Sequence, residues 1–444
     1  MGKNYKNKRY IYDPLYGVIY LPNFIWDVIN CPELQRLREV RLCNINSLCL
    51  TGGANINRYE HAIGTFYLAQ ECLMSWPILN PISEKEEKQF LLAALLHDVT
   101  SAAFGHSVEY IESLSGFDHE KAFSYVILGE KGSSYQYKSA TLEYIFFEML
   151  RELSSKLSEE DIKAIGEIIA GKGRFGPLIS SAMDLDNIDN VFRLGYHIGL
   201  VKSGVNPLKL AKSIWIENGK LVVMEESVPL IEEWHMIRKK LYKLLLLNPD
   251  EFSAKYMLSE AIELAKIKEI HPFNWYDVDY KLLEELAKKS SETSIIISRL
   301  MKGDLYGCIG IFSTAKTNKY EILRDSIRRK ELEDELSRTV RSKLPSRFKS
   351  AMIALHPIID VNKTERQVCI QTDEGIVVKI GNSSNQLLVG VFFKNMGLNM
   401  HEINKIPNDI KSIITQEMFT FLSNILEDQN LGEVELYGEI KDCE

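Results

Sequence analysis

A mainly α fold, with short β-hairpins and a smaller α+β C-terminal region, is predicted by three features of the sequence. Apolar residues recur at helical spacing from Asn23 onward, two helix starts carry capping boxes, and strand-like alternation replaces that spacing after Val368. Residues 10–21 read as a hairpin, with Asp13-Pro14 and Gly17 at the turn. The helix starts are Asn57 with Glu60, and Ser83 with Glu86, each pair three residues apart. A second hairpin is expected within 213–230, where Asn218-Gly219 is a favoured two-residue turn. Helical spacing returns from Pro229 to Leu300. Residues 319–350 alternate in charge, as a solvated helix face does, with a polyphosphate or effector contact as the other reading. Three strands are expected at 368–372, 376–380 and 386–393, covered by a last helix from Asp409 to Leu426. The chain is divided into residues 1–312, the main helical domain, and 313–444, an assembly or regulatory region.

Composition narrows the class of protein. Hydrophobic residues make up 45% and charged residues 26% of the 444, ordinary values for a chain that buries a core. A formal charge of -8 argues against nucleic acid as the default partner. The seven cysteines are scattered without a CxxC pair, which fits reduced thiols and a cytoplasmic location. No apolar run approaches the roughly 18 residues of a membrane span, and the basic first nine residues lead into no signal-like apolar stretch.

Chemistry is concentrated in three places. His61 falls in the first turn of the helix capped by Asn57. His97 and Asp98 close the helix that begins after Ser83, directly behind the apolar run Phe90–Leu96. Imidazole and carboxylate groups beside such a run are desolvated unless something pairs them, and a metal ion would. Further on, Asp186, then Asp189 or Asn190, then Arg193 recur at helical spacing and share a face beside the apolar Leu185, Ile188, Val191 and Phe192. Two imidazoles and two carboxylates suit one divalent metal, with Mn, Fe, Mg, Co, Ni and Zn all open.

These residues resemble a family, the HD-domain phosphohydrolases, and within it the deoxynucleoside triphosphate triphosphohydrolases. The resemblance is carried by Asp13-Pro-Leu-Tyr-Gly17, Gln35-Arg-Leu-Arg38, Asn57-Arg-Tyr-Glu-His61, Leu95-Leu-His-Asp98, Phe104-Gly-His106, His119-Glu120 and Asp184 to Arg193. It covers residues 10–200 well and implies an HD-domain helical core. It implies His61, His97, Asp98 and Asp186 as the metal ligands and Arg58 as the grip on a substrate phosphate. It implies His106, Glu109 and His119 as the catalytic phosphate-contacting and acid/base groups. Asp189, Arg193 and Tyr196 are assigned with Arg58 to the substrate. Related enzymes are homo-oligomers with regulatory nucleotides at subunit contacts, so both are expected here.

The sequence also departs from the family. Thr100 and Ser101 stand where glycine and histidine follow the HD pair, and Glu109 replaces an aspartate. Leu42, Asn190 and Leu194 occupy positions where the family reads the sugar. The expected activity is hydrolysis of a deoxynucleoside triphosphate to deoxynucleoside and triphosphate. The alternatives are a phosphatase or phosphodiesterase acting on another nucleotide, and a regulatory module that binds nucleotide without turnover.

Overall fold

The computed structural model describes residues 9–43, 45, 55–77, 80–105, 119–128, 141–144, 147–150, 152–267, 276–344, 346, 350–395, 401 and 406–434. The chain opens on the antiparallel hairpin β1 (Arg9–Asp13) and β2 (Gly17–Leu21), in register from Arg9 opposite Leu21 to Asp13 opposite Gly17. Its turn is closed by Asp13, whose carboxylate accepts the backbone N–H groups of Leu15 and Tyr16, both at 2.9 Å.

Helices dominate the chain from Asn23 to His197: α1 (Asn23–Ile29), α2 (Pro32–Gln35), α3 (Arg58–Met74), α4 (Glu84–Leu96), α5 (His119–Leu128), α6 (Leu153–Lys156), α7 (Glu159–Ile169) and α8 (Leu185–His197). The short strands β3 (Thr141–Tyr144) and β4 (Phe147–Leu150) interrupt them as a hairpin. Both expected helix starts are capped, but only one of the two expected capping boxes forms, because the Glu60 carboxylate is taken by Arg193 and His197. Asn57 accepts the N–H of Glu60 at 2.9 Å, and Ser83 and Glu86 form a reciprocal capping box. The apolar residues from Phe90 to Leu96 are all buried, so α4 crosses the interior and delivers His97 and Asp98 to the middle of the molecule. Helix α3 packs against both α4 and α8.

A helix α9 (Val205–Lys212) leads to the hairpin β5 (Ile214–Glu217) and β6 (Lys220–Val223), whose turn residues Asn218 and Gly219 are both left-handed, at φ 49° and 74°. Then come α10 (Val228–Leu247), α11 (Pro249–Ile267), α12 (Asp279–Lys289) and α13 (Ser291–Lys302). None of the helices among the described residues is long and apolar enough to cross a membrane.

The C-terminal part contains β7 (Gly307–Thr314), α14 (Tyr320–Arg324), α15 (Ser326–Lys343), β8 (Ile353–Val361), β9 (Val368–Thr372), β10 (Val377–Ile380), β11 (Asn385–Phe393), α16 (Asn408–Leu426) and β12 (Gly432–Glu433). The three expected strands are β9, β10 and β11. Sequence reading missed β7 and β8, which sandwich β11 in the order β12-β7-β11-β8. Strand β11 is buried on both faces from Leu387 to Phe393, so it lacks the alternation that marks a half-exposed strand, and its flanking strands share that burial in part.

The two parts of the chain are stitched together. Strand β6 pairs in parallel with β9, Val222 opposite Gln371 and Val223 opposite Thr372, giving a sheet in the order β10-β9-β6-β5. Val368, Ile370 and Ile380 join the same apolar cluster as α3, α4 and α8. The 312/313 division falls inside β7. The charged helix α15 does turn Arg328, Glu331, Lys330 and Asp334 to solvent in pairs at 2.7 and 2.9 Å. Its other face is buried, and there Arg329 pairs with Glu263 of α11.

Candidate metal centre and its cavity

Three donor atoms converge where α3, α4 and α8 meet. His61 Nε2 lies 2.8 Å from Asp186 Oδ1 and 3.2 Å from His97 Nε2, and His97 Nε2 lies 3.7 Å from Asp186 Oδ1. Each imidazole is oriented through its other nitrogen. His97 Nδ1 is 2.9 Å from the Ala94 carbonyl, which accepts its proton, and His61 Nδ1 is 2.7 Å from Asp189 Oδ2. With both Nδ1 atoms donating, both Nε2 lone pairs point at one spot. Lone pairs at this spacing repel unless a cation lies between them, so the donor set fits a divalent metal. The pattern of a carboxylate behind a ligating histidine is the usual one for such centres. Without a cation, burial draws the His61 imidazole down but Asp186 and Asp189 outweigh it and hold the ring up at about 10, so Nε2 then keeps a proton toward Asp186, and a divalent ion would take that proton's place.

Asp98 stands at the edge of this group. Its Oδ2 is 3.6 Å from His97 Nε2 and 4.0 Å from His61 Nε2, facing the same point. Its Oδ1 is taken by the Arg58 guanidinium and by the Ser101 hydroxyl, which donates at 2.9 Å. Burial opposes ionisation, yet Arg58 and the three imidazoles of His97, His61 and His119 hold the carboxyl well below the usual range. Ser101, standing where the family has histidine, is thus an anchor for Asp98. His119 Nε2 is 3.7 Å from Asp98 Oδ1, on the same wall.

The backbone after the HD pair is held from outside. Arg36 donates to the carbonyls of Val99, Ser101 and Asp277 at 3.1, 2.6 and 3.0 Å, and Thr100 donates to the His119 carbonyl at 2.9 Å. Phe104 and Gly105 are both left-handed, at φ 53° and 50°. A side chain at 105 would meet Arg58 Nη2 at 2.2 Å, so glycine there leaves room for the guanidinium. His106 and Glu109 lie outside the described residues.

Asp189, Arg193 and Tyr196 are not where substrate contact would put them. Asp189 and Arg193 are fully buried and absent from the cavity wall, because they face α3 instead. Arg193 Nε donates to Asp189 Oδ2 at 2.8 Å, and its Nη1 donates to Asp13 at 2.9 Å and Glu60 at 2.6 Å. Tyr16 donates its hydroxyl to Asp189 Oδ1 at 2.8 Å. Tyr196 is half-buried and packs at the edge of the helical core, against the ring of His197. The residues of α8 that do reach the cavity are Asp186, Asn190 and Leu194.

The cavity itself is about 510 Å³. One end holds His61, His97, Asp98, Asp186, Arg58 and His119, and Leu42 and Leu194 line an apolar stretch beside it. Its remaining wall comes from α10, α11, α14, α15 and the region of β8, through residues such as Tyr242, Lys255, Arg329, His356, Lys363 and Arg366. Of these, sequence reading touched only Arg329, through the second reading of the charged run 319–350. The others are isolated residues far along the chain, with no motif around them.

The HD domain family matches residues 58–191, the span that contains all four expected ligands. That stretch carries an HD domain, and the chain resembles the HD-domain phosphohydrolases. It is 25% identical over 256 residues to the uncharacterized protein YwfO of Bacillus subtilis, a match covering 57% of this chain and 55% of that one. It is 23% identical over 270 residues to the deoxynucleoside triphosphate triphosphohydrolase SAMHD1 homolog of Dictyostelium discoideum, covering 58% of this chain and 49% of the relative. These matches therefore span about half the length of either relative. A phosphohydrolase structure from Bacteroides thetaiotaomicron shares the fold at a TM-score of 0.62, with 16% identity, over 88% of this chain and all of that one.

Proposed function

We propose that this HD-domain protein is a metal-dependent nucleoside triphosphate phosphohydrolase, releasing inorganic triphosphate from deoxynucleoside triphosphates. The observation that carries the reading is the convergence of His61, His97 and Asp186 at one end of a cavity that also presents Arg58 and His119. Similarity to a relative named as a deoxynucleoside triphosphate triphosphohydrolase supports the substrate class.

A divalent metal held by His61, His97 and Asp186, with Asp98 beside them, supplies charge neutralisation and an acidified water when bound. Asp189 and the Ala94 carbonyl hold the two rings so that Nε2 faces inward. Arg58, buried and directed by Asp98, places its guanidinium where a phosphate oxygen can take its fork in exchange for the carboxylate. In the reaction, water oxygen bonds to the α-phosphorus and the bond from that phosphorus to the 5′ oxygen breaks. The leaving oxygen takes a proton, for which His119 is the donor at hand among the described residues.

Leu42 and Leu194 put apolar surface where the family reads the sugar, with Asn190 a polar residue beside them among the described residues. Such a wall leaves no buried donor unpaired when a sugar hydroxyl is missing, so discrimination between sugars should be weak. The test is to incubate the full chain with Mn, Mg or Co and a panel of deoxy- and ribonucleotides, and to identify products by chromatography. Release of inorganic triphosphate with nucleoside supports the reading. Release of orthophosphate, or turnover of cyclic or monophosphate nucleotides only, replaces it with a phosphatase or phosphodiesterase.

A further inference from the structure

The wall of the cavity away from the HD pair is built partly by the segment between β8 and β9, residues 362–367, from the C-terminal part of the chain. Two of its cations, Lys363 and Arg366, line the same cavity as Arg58 and the metal-ligating residues. The segment is fixed by its backbone. Asp360 accepts the N–H groups of Lys363 at 2.9 Å and Thr364 at 3.0 Å. Arg238 of α10 donates to the carbonyls of Asn362 and Lys363, both at 3.0 Å, and His235 Nε2 lies 2.8 Å from the Arg366 carbonyl.

The arginines of this wall differ in their partners. Other cations there have carboxylates at hand: Arg58 has Asp98, Arg329 has Glu263, and Arg324 has Glu321 at 3.3 Å. The acceptors of Arg366 among the described residues are neutral oxygens, Asn187 Oδ1 at 3.0 Å, the Ala182 carbonyl at 3.2 Å and the Asn362 carbonyl at 3.3 Å. Arg238, buried directly behind the segment, likewise donates to carbonyls and lies against the Tyr242 ring at 4.0 Å. Burial pushes the Lys363 ammonium down to about 8. Grouped cations in a partly dry wall raise one another's energy, and a multiply charged anion relieves that cost. Through Asn187, Arg366 is tied to the residue next to the metal ligand Asp186, so these cations and the metal centre are parts of one site.

We propose that Lys363 and Arg366 form a phosphate subsite that receives the distal phosphates of a nucleoside polyphosphate, so that the C-terminal part of the chain completes the catalytic cavity. Arginine offers a planar fork and lysine a mobile point charge, a combination suited to adjacent phosphate groups. This inference rests on the reading of the cavity as a nucleotide site, and it assigns which end of the nucleotide lies where: nucleoside ester at Arg58 and His119, terminal phosphates at the 362–367 segment.

The probe is inorganic triphosphate, titrated calorimetrically into chelator-treated full-length protein, so that cation contacts are read without metal. Wild type is compared with Lys363→Gln, Arg366→Gln and the exposed β10 control Lys379→Gln. The expected result is a roughly tenfold or larger loss of triphosphate affinity in the first two and none in the control, with a matching rise in KM for the nucleoside triphosphate. Should Arg366→Gln fail to fold, Lys363→Gln decides the matter, because the segment's backbone anchors do not use that side chain. Triphosphate binding equal to wild type in Lys363→Gln, or no binding to wild type at all, overturns the subsite even if nucleotides are hydrolysed. Loss of binding in the variants of a protein that hydrolyses no nucleotide leaves the subsite standing and overturns the function instead.

Discussion

His61 Nδ1 and Asp189 Oδ2 lie 2.7 Å apart, both fully enclosed, and this contact aims the other nitrogen of the ring at the metal centre. Burial opposes a charge on Asp189, yet Arg193 and His61 hold its carboxyl down to about 2. Asp189 therefore acts through His61. Asp189→Asn keeps an oxygen in place but removes the charge, and should weaken Mn affinity about 10- to 100-fold. Titration of the purified variant with Mn reads this directly. An affinity within twofold of wild type would show that the ring is oriented by something else.

At Gly64, α3 lies close against α8. A Cβ there would sit 2.0 Å from Asp189 Oδ1 and 2.1 Å from Arg193 Nη2, both immobilised by buried ion pairs. Gly64→Ala is expected to cost about 1–3 kcal/mol of stability by overpacking, and to displace Asp189 from His61. Urea unfolding measures the first effect and Mn affinity the second. Unchanged values in both would mean that the two helices separate freely.

Metal should stabilise the fold through the same donors. With Mn at about a hundred times its Kd, linkage adds about 2.7 kcal/mol, seen as a rise in thermal midpoint that a chelator reverses. Asp186→Ala should abolish the rise while leaving the metal-free midpoint close to wild type, since Asp186 is the most exposed of the three donors. A rise that persists in this variant would place the ion elsewhere.

Asp98 links Arg58, Ser101 and the imidazole pair, and its charge is needed for each link except the Ser101 bond. Asp98→Asn retains size and should lower hydrolysis on the order of 10²-fold or more. Product chromatography under the best metal from the panel provides the comparison. Turnover near wild type would remove Asp98 from the reacting end of the cavity.

His356 supplies a pH effect of known sign. Burial, with help from Arg329 and Lys255, lowers its imidazole to about 3, so the folded ring is neutral where the unfolded ring begins to charge near 6.5. The stability this neutrality preserves is fully present above 6.5 and is lost as pH falls through the interval toward 3. The slope is about 1.4 kcal/mol per pH unit at most. His356→Phe fits among Phe252 and Tyr256, whose rings lie 5.5 and 5.0 Å away, and should flatten that stretch of the stability profile. Parallel urea unfolding series between pH 4.5 and 7 give the two slopes, and identical slopes would contradict the burial argument.

What the sequence determined by itself was whatever short-range chemistry decides. Caps at Asn57 and Ser83, the Asn218-Gly219 turn, and the placement of His61, His97 and Asp98 at helix ends come from hydrogen-bonding groups within a few residues of one another. The spacing of Asp186, Asp189 and Arg193 likewise announced a shared helix face, but not the direction in which it looked. That was decided by packing: Gly64 lets α8 lie close on α3, which turns Asp189 and Arg193 inward onto His61, Asp13 and Tyr16 and leaves Asp186, Asn190 and Leu194 to the cavity. Strands β7 and β8 were hidden for a related reason, since their burial depends on β11 and on helices distant in the chain. The arrival of Lys363 and Arg366 in the cavity that holds the candidate metal donors depends on the parallel pairing of β6 with β9 and on Arg238 holding the segment between β8 and β9. No local pattern encodes a contact between residues more than a hundred positions apart, and only the folded core brings them within reach.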